Sequence, residues 1–272
     1  MLRVAEKKRS VIDIRNAKNA AEPFLALTAY TAPIAMLADK VADVVLVGDS
    51  LGMVVYGMPN TLSVTLDMMI THGRAVNRLC NRALCVIDMP FGSYQASPQQ
   101  AFESASKIIS ETGAQAVKLE GGAEMAETIK FLVERGVPVM GHVGLRPQLV
   151  NVQGGYRVQG KTDATHDRLL EDAKAVEQAG AFAMVVEGVV EDAAGEVTKL
   201  VSIPTIGIGA SNACDGQILV TEDALALTPG PKAKFVKTYA NFYADAEKAL
   251  EQLAADVKSR AFPGPQQVYG RK

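Results

Sequence analysis

The sequence predicts a single (β/α)8 barrel of the α/β class, and three observations carry that prediction. Strand-like apolar runs alternate with helix-like segments, the runs number about eight, and five successive runs each end in a polar or ionisable side chain. Strands alternating with helices of about a dozen residues mean a parallel sheet, and a count near eight selects a closed barrel over an open doubly wound sheet. The 272 residues lie near the roughly 250 typical of this fold. Residues 1–272 are therefore read as one domain, with an N-terminal helical segment at about 10–20 and a tail at about 263–272 that has no packing signal. In such a barrel the C-terminal strand ends converge on one mouth, where active sites sit.

Phe24-Leu25-Ala26-Leu27 reads as the first strand, ending at Thr28-Ala29-Tyr30, and Thr31-Ala32-Pro33 offers a helix start with proline in the first turn. Val44 to Val47 is the second strand, followed by a loop over 52–61 long enough to cover the mouth. A helix over 66–78 has Met69, Ile70, Ala75, Val76 and Leu79 on its apolar stripe. Leu84 to Ile87 forms the third strand. Ser97-Pro98 then caps a helix with Ala101, Ala105, Ile108 and Ile109 inward, which Gly113 stops. Ala116-Val117-Lys118-Leu119-Glu120 is the fourth strand, with Lys118 and Glu120 on one face by period-2 alternation. A helix over 123–134 precedes the fifth strand, which ends at His142-Val143-Gly144; the glycine-containing loop over 146–161 is a second candidate cover. A helix over 163–178, a strand over 182–186, a helix over 192–201 and a strand over 204–208 follow. Leu225-Ala226-Leu227 is read as the eighth strand and 235–259 as a long terminal helical region.

A net charge of −2 and a pI near 6.0 give no basic footprint for nucleic acid. No apolar run approaches the roughly 18 residues of a membrane span. Arg3, Lys7, Lys8 and Arg9 lack a following apolar region and read as a solvated segment rather than a targeting signal. Cys80, Cys85 and Cys214 have no metal-like spacing, which fits thiols used as core filler in a reducing cytoplasm. Gly207-Ile208-Gly209 lacks the third glycine of a dinucleotide fingerprint and is read as a tight turn.

The chemistry lies at the strand ends. Asp49, Asp88 and Glu120 close three consecutive strands, offering oxygen ligands side by side; that suits Mg2+, while His142 on the next strand leaves Zn2+ or Mn2+ open. Singly, each carboxylate could instead cap a helix or pair with a lysine; together they favour the metal. Lys118 could be a Schiff-base nucleophile, a counter-ion for a substrate carboxylate or a partner of the acidic cluster. Neighbouring carboxylates hold it charged, which favours the counter-ion. Glu187, across the barrel and behind Val185-Val186, suits proton abstraction α to a carbonyl, unless a barrel lysine or arginine bonds it. His142 can be a ligand, a proton shuttle or a polar core residue. His72 and His166 fall on helices and read as surface or packing residues.

Several stretches together carry a resemblance. Thr28-Ala29-Tyr30, Val47-Gly48-Asp49-Ser50-Leu51-Gly52-Met53, Asp88-Met89-Pro90-Phe91-Gly92-Ser93-Tyr94, Val117-Lys118-Leu119-Glu120-Gly121-Gly122, Gly141-His142-Val143-Gly144-Leu145, Gly154-Gly155-Tyr156, Val158-Gln159-Gly160 and Asp215-Gly216-Gln217 resemble the ketopantoate hydroxymethyltransferase family. The resemblance spans roughly residues 28–236. It implies a (β/α)8 enzyme of pantothenate biosynthesis that binds Mg2+ and transfers a hydroxymethyl group from 5,10-methylenetetrahydrofolate to 3-methyl-2-oxobutanoate through a Mg-stabilised enolate. By motif it implies Asp49, Asp88 and Glu120 as metal residues, and Ser50 and Lys118 with the two aspartates in contact with the 2-oxo acid. Glu187 would be the proton acceptor and His142 a residue near the substrate. It also implies a cytoplasmic homo-oligomer, a decamer in many members.

The sequence departs from that pattern at Thr31, where an aspartate is usual, at Ser211 and Ala226, where glycine is usual, and at Glu222-Asp223, where the family commonly reads His-Asp. None of these is a metal or base position. Two other readings fit the same strand ends: a Mg-dependent carbon–carbon lyase or mutase of the related 2-oxo acid barrels, which would work without folate, and a silent barrel that binds a small acid.

Overall fold

The computed structural model describes residues 7–270, so Arg3 of the basic cluster and positions 271–272 of the tail lie outside the described residues. The chain forms two compact units, Met1–Thr221 and Glu222–Lys272. The first holds a closed barrel whose eight strands run in sequence order, β1 through β8, every neighbouring pair parallel.

In chain order the first unit comprises α1 (Val11–Arg15), β1 (Phe24–Thr28), α2 (Ala32–Ala38), β2 (Val44–Val47), α3 (Leu51–Val54), α4 (Leu66–Asn77) and β3 (Leu84–Asp88). There follow α5 (Pro98–Thr112), β4 (Ala116–Lys118), α6 (Ala126–Glu134), β5 (Val139–Gly144), α7 (Val150–Gln153), α8 (Asp163–Gln178), β6 (Ala183–Glu187), α9 (Glu191–Leu200), β7 (Thr205–Ile208) and β8 (Gly216–Leu219).

Strand alternation sorts the core into two layers. Phe24, Ala26, Val44, Leu46, Leu84, Val86, Ala116, Met140, Ala183, Val185, Ile206 and Ile218 belong to one buried cluster, the barrel interior, which Ile14 of α1 joins. The alternate positions Val45, Val47, Cys85, Ile87, Val117, Val139, Met184 and Val186 belong to a second cluster with the inner faces of the helices. Each large aliphatic side chain fully buried this way contributes about 1.5–3 kcal/mol relative to exposure. The pattern matters for function because, continued by two residues, the interior register arrives at Asp88 on β3, Lys118 on β4, His142 on β5 and Glu187 on β6.

The helices start and stop where local chemistry allows. The Ser97 hydroxyl accepts from the Gln100 N–H at the head of α5, and Gly113, at φ 73°, closes it in the left-handed conformation. Thr162 and Thr165 form a reciprocal cap on α8. In α4 the buried face is Met69, Ile70, Gly73 and Val76. Gly73, rather than the expected Ala75, meets the sheet, because a Cβ there would lie 2.4 Å from Ile87 Cδ1.

Five expectations need correction. The eighth strand is Gly216–Leu219, paired with both β7 and β1, and Leu225-Ala226-Leu227 belongs to no strand. No helix separates β7 from β8, so the strand-helix rhythm gives no warning of β8. The first stretch of the 52–61 loop continues a helical turn, α3, and the 146–161 loop contains a 3-10 turn and α7. The N-terminal helix covers only Val11–Arg15, capped by Ser10. The second unit takes up the short α10 (Thr221–Ala224) from Glu222 onward and holds α11 (Phe242–Ser259), so the expected helix over 235–259 begins seven residues late. No helix among the described residues is long and apolar enough to cross a membrane.

Candidate active site

Asp49, Ser50, Asp88, Lys118, Glu120, His142 and Glu187 all lie at or just past the C-terminal ends of β2 to β6, and direct or shared contacts bring them together. Asp49, Asp88, Lys118, Glu120 and His142 are each at most 5% exposed. Glu187 is the most open of the four carboxylates, its side chain 21% exposed. It stands at the rim rather than sealed among the apolar residues before it.

On β2 the interior register falls on Gly48, not on a side chain. A Cβ there would come within 2.7 Å of Ser50 Oγ and 3.5 Å of Asp88 Oδ2. Glycine therefore leaves room for the Ser50 hydroxyl, and beside it Asp88 Oδ2 accepts a hydrogen bond from the Asp49 N–H at 3.0 Å. Asp88 Oδ1 pairs with Lys118 Nζ at 2.7 Å. Ser50 lies beside this pair, its hydroxyl 2.7 Å from the hydroxyl of the fully buried Tyr30.

Lys118 Nζ also approaches His142 Nδ1 at 3.4 Å. An ammonium only donates, so Nδ1 is the bare nitrogen and the imidazole proton sits on Nε2. That nitrogen faces Glu187 Oε2 at 3.4 Å. Burial, reinforced by the Lys118 charge, holds the His142 pKa below its ordinary value, so the ring is neutral near pH 7.

The carboxylates are crowded. Burial, then the neighbouring Asp88 charge, pushes Asp49 up to about 7 against the opposing pull of Lys118. Burial and Asp49 likewise raise Glu120 well above the usual carboxylate range. Burial alone would lower Lys118, but Asp88, Glu120 and Asp49 outweigh it and keep the ammonium charged. One ammonium thus faces several buried carboxyl groups, an arrangement that a divalent cation would neutralise.

Among the described residues no group of three or more His, Cys, Asp or Glu side chains is gathered as a ready cage for an ion. The donors nevertheless fit Mg2+, which characteristically takes one or two protein carboxylates and completes its shell with water and substrate oxygens. All the nearest candidates are oxygen donors, and the buried Asp49–Asp88 pair is short of positive charge.

Gln148, just beyond β5, was not singled out by sequence reasoning, yet it is 4% exposed and touches the site from two directions. Its Nε2 donates to Asp49 Oδ2 at 2.9 Å and its backbone N–H to Glu120 Oε2 at 3.1 Å. The only sequence signal was its place three residues after the Gly141–Leu145 motif. Tyr156, on the second candidate cover, has its hydroxyl 3.8 Å from Met53 Sδ, and its pKa is raised by burial and then by Asp49, Glu187 and Glu120. The other histidines play no part here: His72 sits between the Tyr30 carbonyl and the Tyr56 hydroxyl, and His166 pairs with Glu196. The three cysteines are buried and unpaired by disulfides.

Comparison with known proteins gives consistent matches. The sequence profile of the ketopantoate hydroxymethyltransferase family matches residues 8–265. A 3-methyl-2-oxobutanoate hydroxymethyltransferase from Rhodospirillum rubrum is 56% identical over 98% of this chain and 96% of its own. One from Paramagnetospirillum magneticum is 55% identical over 97% and 96%. Among solved structures, a phosphonopyruvate hydrolase in complex with oxalate and Mg++ superposes with a TM-score of 0.59 at 12% identity, covering 96% of this chain and 92% of that one. A 2,3-dimethylmalate lyase of the PEP mutase/isocitrate lyase superfamily gives 0.59 at 14% identity, covering 96% and 89%. At such identities the two structures speak to the fold alone.

Proposed function

Because the chain belongs to the ketopantoate hydroxymethyltransferase family, we propose that its barrel mouth transfers a hydroxymethyl group from 5,10-methylenetetrahydrofolate to 3-methyl-2-oxobutanoate, giving 2-dehydropantoate for pantothenate biosynthesis. The observation that carries the mechanism is the cluster itself: crowded carboxyl groups and a single ammonium on one side, and Glu187 at the rim on the other.

In this reading Asp49 and Asp88, with Glu120 as the third carboxylate of the set, would hold a Mg2+ ion, which when bound would supply Lewis acidity toward the 2-oxo acid. The Lys118 ammonium, fixed by Asp88 and kept charged, serves as counter-ion for the substrate carboxylate. The Ser50 hydroxyl, held by Tyr30, offers a further hydrogen bond at the same end. Glu187 takes the proton from C3, and the neutral His142, its Nε2–H facing that carboxylate, orients it for the task. The resulting enolate attacks the methylene carbon carried by the folate, forming the new carbon–carbon bond as both carbon–nitrogen bonds to that carbon break. One water supplies the hydroxyl of the new hydroxymethyl group, and its remaining proton and the proton taken from C3 end on the two freed nitrogens of tetrahydrofolate. As in many members of the family, the chain is proposed to work as a homo-oligomer.

The test is exchange of the substrate C3 proton with solvent, followed by NMR with Mg2+ present and folate absent. The wild-type protein exchanges it, and chelation of the ion stops exchange. Glu187→Gln slows exchange by at least about a hundredfold, the low end of what a positioned base contributes, while calorimetric Mg2+ affinity stays unchanged. Undiminished exchange in that variant removes Glu187 from the role. Ketopantoate formation that proceeds without methylenetetrahydrofolate removes the transferase reading.

A further inference from the structure

We propose that Gln148 is the positioning residue of the metal site, locking the carboxylates carried by separate strands into one orientation from outside their strands. The inference rests on the metal reading above and extends it to a residue with no charge of its own.

The geometry leaves the Gln148 amide no freedom. Its Nε2 donates to Asp49 Oδ2 at 2.9 Å and to the Met89 carbonyl at 3.0 Å. Its Oε1 accepts from the Tyr94 hydroxyl at 2.6 Å and from Gln95 Nε2 at 3.0 Å. A main-chain carbonyl can only accept, so the nitrogen must face Met89 and hence Asp49. Gln95 confirms the other half, because its Oε1 already accepts from the Gly92 N–H at 2.8 Å, which turns its nitrogen toward Gln148. Both protons and both lone pairs of the amide are therefore used.

The same residue reaches a second carboxylate through its backbone, whose N–H donates to Glu120 Oε2 at 3.1 Å. Tyr94 closes the circuit by accepting from the Glu120 N–H at 3.2 Å. Gln148 thus fastens groups that follow β2, β3 and β4, the three strands whose ends carry Asp49, Asp88 and Glu120. It does so from the segment after β5, 99 residues from Asp49 in sequence. A buried, fully satisfied network of this kind fixes one arrangement of its members and is costly to disturb. Groups that orient metal-binding carboxylates from behind are typically worth 10–100-fold in metal affinity.

The test replaces the amide by a side chain of similar length without hydrogen-bonding groups, Gln148→Met, and reads Mn2+ and Mg2+ affinity by calorimetry. The Mn2+ electron paramagnetic resonance spectrum supplies a second readout, since its line shape follows the symmetry of the ligand set. We expect metal affinity to fall about 10–100-fold with an altered Mn2+ spectrum, and a smaller loss in Tyr94→Phe. In the double variant the two losses combine to less than their product, because Tyr94 acts partly through Gln148. Wild-type affinity and an unchanged spectrum in Gln148→Met, with only a lowered unfolding midpoint, overturn the proposal. If that variant does not fold, Tyr94→Phe decides alone, and wild-type affinity there has the same force. A wild-type protein that binds neither ion defeats the metal reading instead, a result distinct from either.

Discussion

Two aspartates in the barrel unit, Asp49 buried and Asp215 partly so, have opposite fates. Asp215, just before β8 at the N-terminal end of the barrel, is surrounded by donors: the Thr205 and Asn19 N–H groups, the Thr205 hydroxyl and the Lys18 ammonium at 3.0 Å. Burial opposes its ionisation, yet those bonds win and hold its pKa below the ordinary value. Asp49, just past β2 at the opposite end, is buried beside another carboxylate and is pushed up to about 7. The same residue type is a fastener held ionised by its donors at one end and a carboxyl crowded by a like charge at the other. In barrel enzymes the C-terminal face carries chemistry and the N-terminal face stability, and these two aspartates show how that division looks in electrostatic terms.

The sharpest way to break the contrast is to remove the one ammonium among the mouth carboxyl groups. Lys118→Met takes away the partner of Asp88 and leaves the buried carboxyl groups uncompensated. Breaking a buried pair in this way costs about 3–5 kcal/mol. Urea unfolding of the metal-free variant should show a loss of that size, and saturating Mg2+ should recover part of it. A variant as stable as the wild type would mean that Lys118 does not offset the carboxylates.

A smaller effect separates the ends by pH. The folded-state pKa of Asp49 is raised from its ordinary value of 3.8 to about 7, so the folded protein binds the proton more tightly than the unfolded chain does. The metal-free protein should therefore lose stability as pH rises from about 4 to about 7, by on the order of 2–4 kcal/mol for a shift of this direction and size. Asp49→Asn removes the Asp49 share of that slope, leaving the part due to Glu120, while keeping an oxygen for the Gln148 Nε2. Thermal unfolding between pH 4 and 8 checks this. The variant should overtake the wild type as pH rises without metal, and a wild-type profile no steeper than the variant's would show that Asp49 is not strained.

The contrast also explains what was legible in the sequence. Asp88, Lys118, His142 and Glu187 could be found because each continues, by one alternation, an apolar strand whose interior register is plain. Asp49 follows a glycine in that register, and only the strand's end pointed to it. β8 was missed because Gly216-Gln217 lacks the apolar alternation of the other strands and no helix announces it. Gln148 was missed for a different reason. An uncharged side chain in an irregular segment has no periodicity, and its importance lies in partners 28, 54, 59 and 99 residues away. Topology was written in local pattern, whereas the tuning of the site was written in long-range hydrogen bonds.

The smallest of the three effects belongs to the satisfied end. Asp215→Ala takes one acceptor from Lys18, which keeps the Thr198 carbonyl, and the acceptor from the part-buried Thr205 N–H and the exposed Asn19 N–H, which costs about 1–3 kcal/mol for lost bonds to a charged group. Because the folded pKa of Asp215 is lowered, its contribution is present above the ordinary value of 3.8 and fades as pH falls through the folded value. The stability gap between wild type and variant should therefore be full at pH 7 and shrink in the acid range below about 4, a slope opposite in sign to that of Asp49. Turnover measured well below the unfolding temperature should be unchanged, since no atom of Asp215 reaches the mouth cluster through any of the bonds named above. A variant that keeps its stability but loses metal affinity would undo the division, because it would make the N-terminal end of the barrel part of the chemistry.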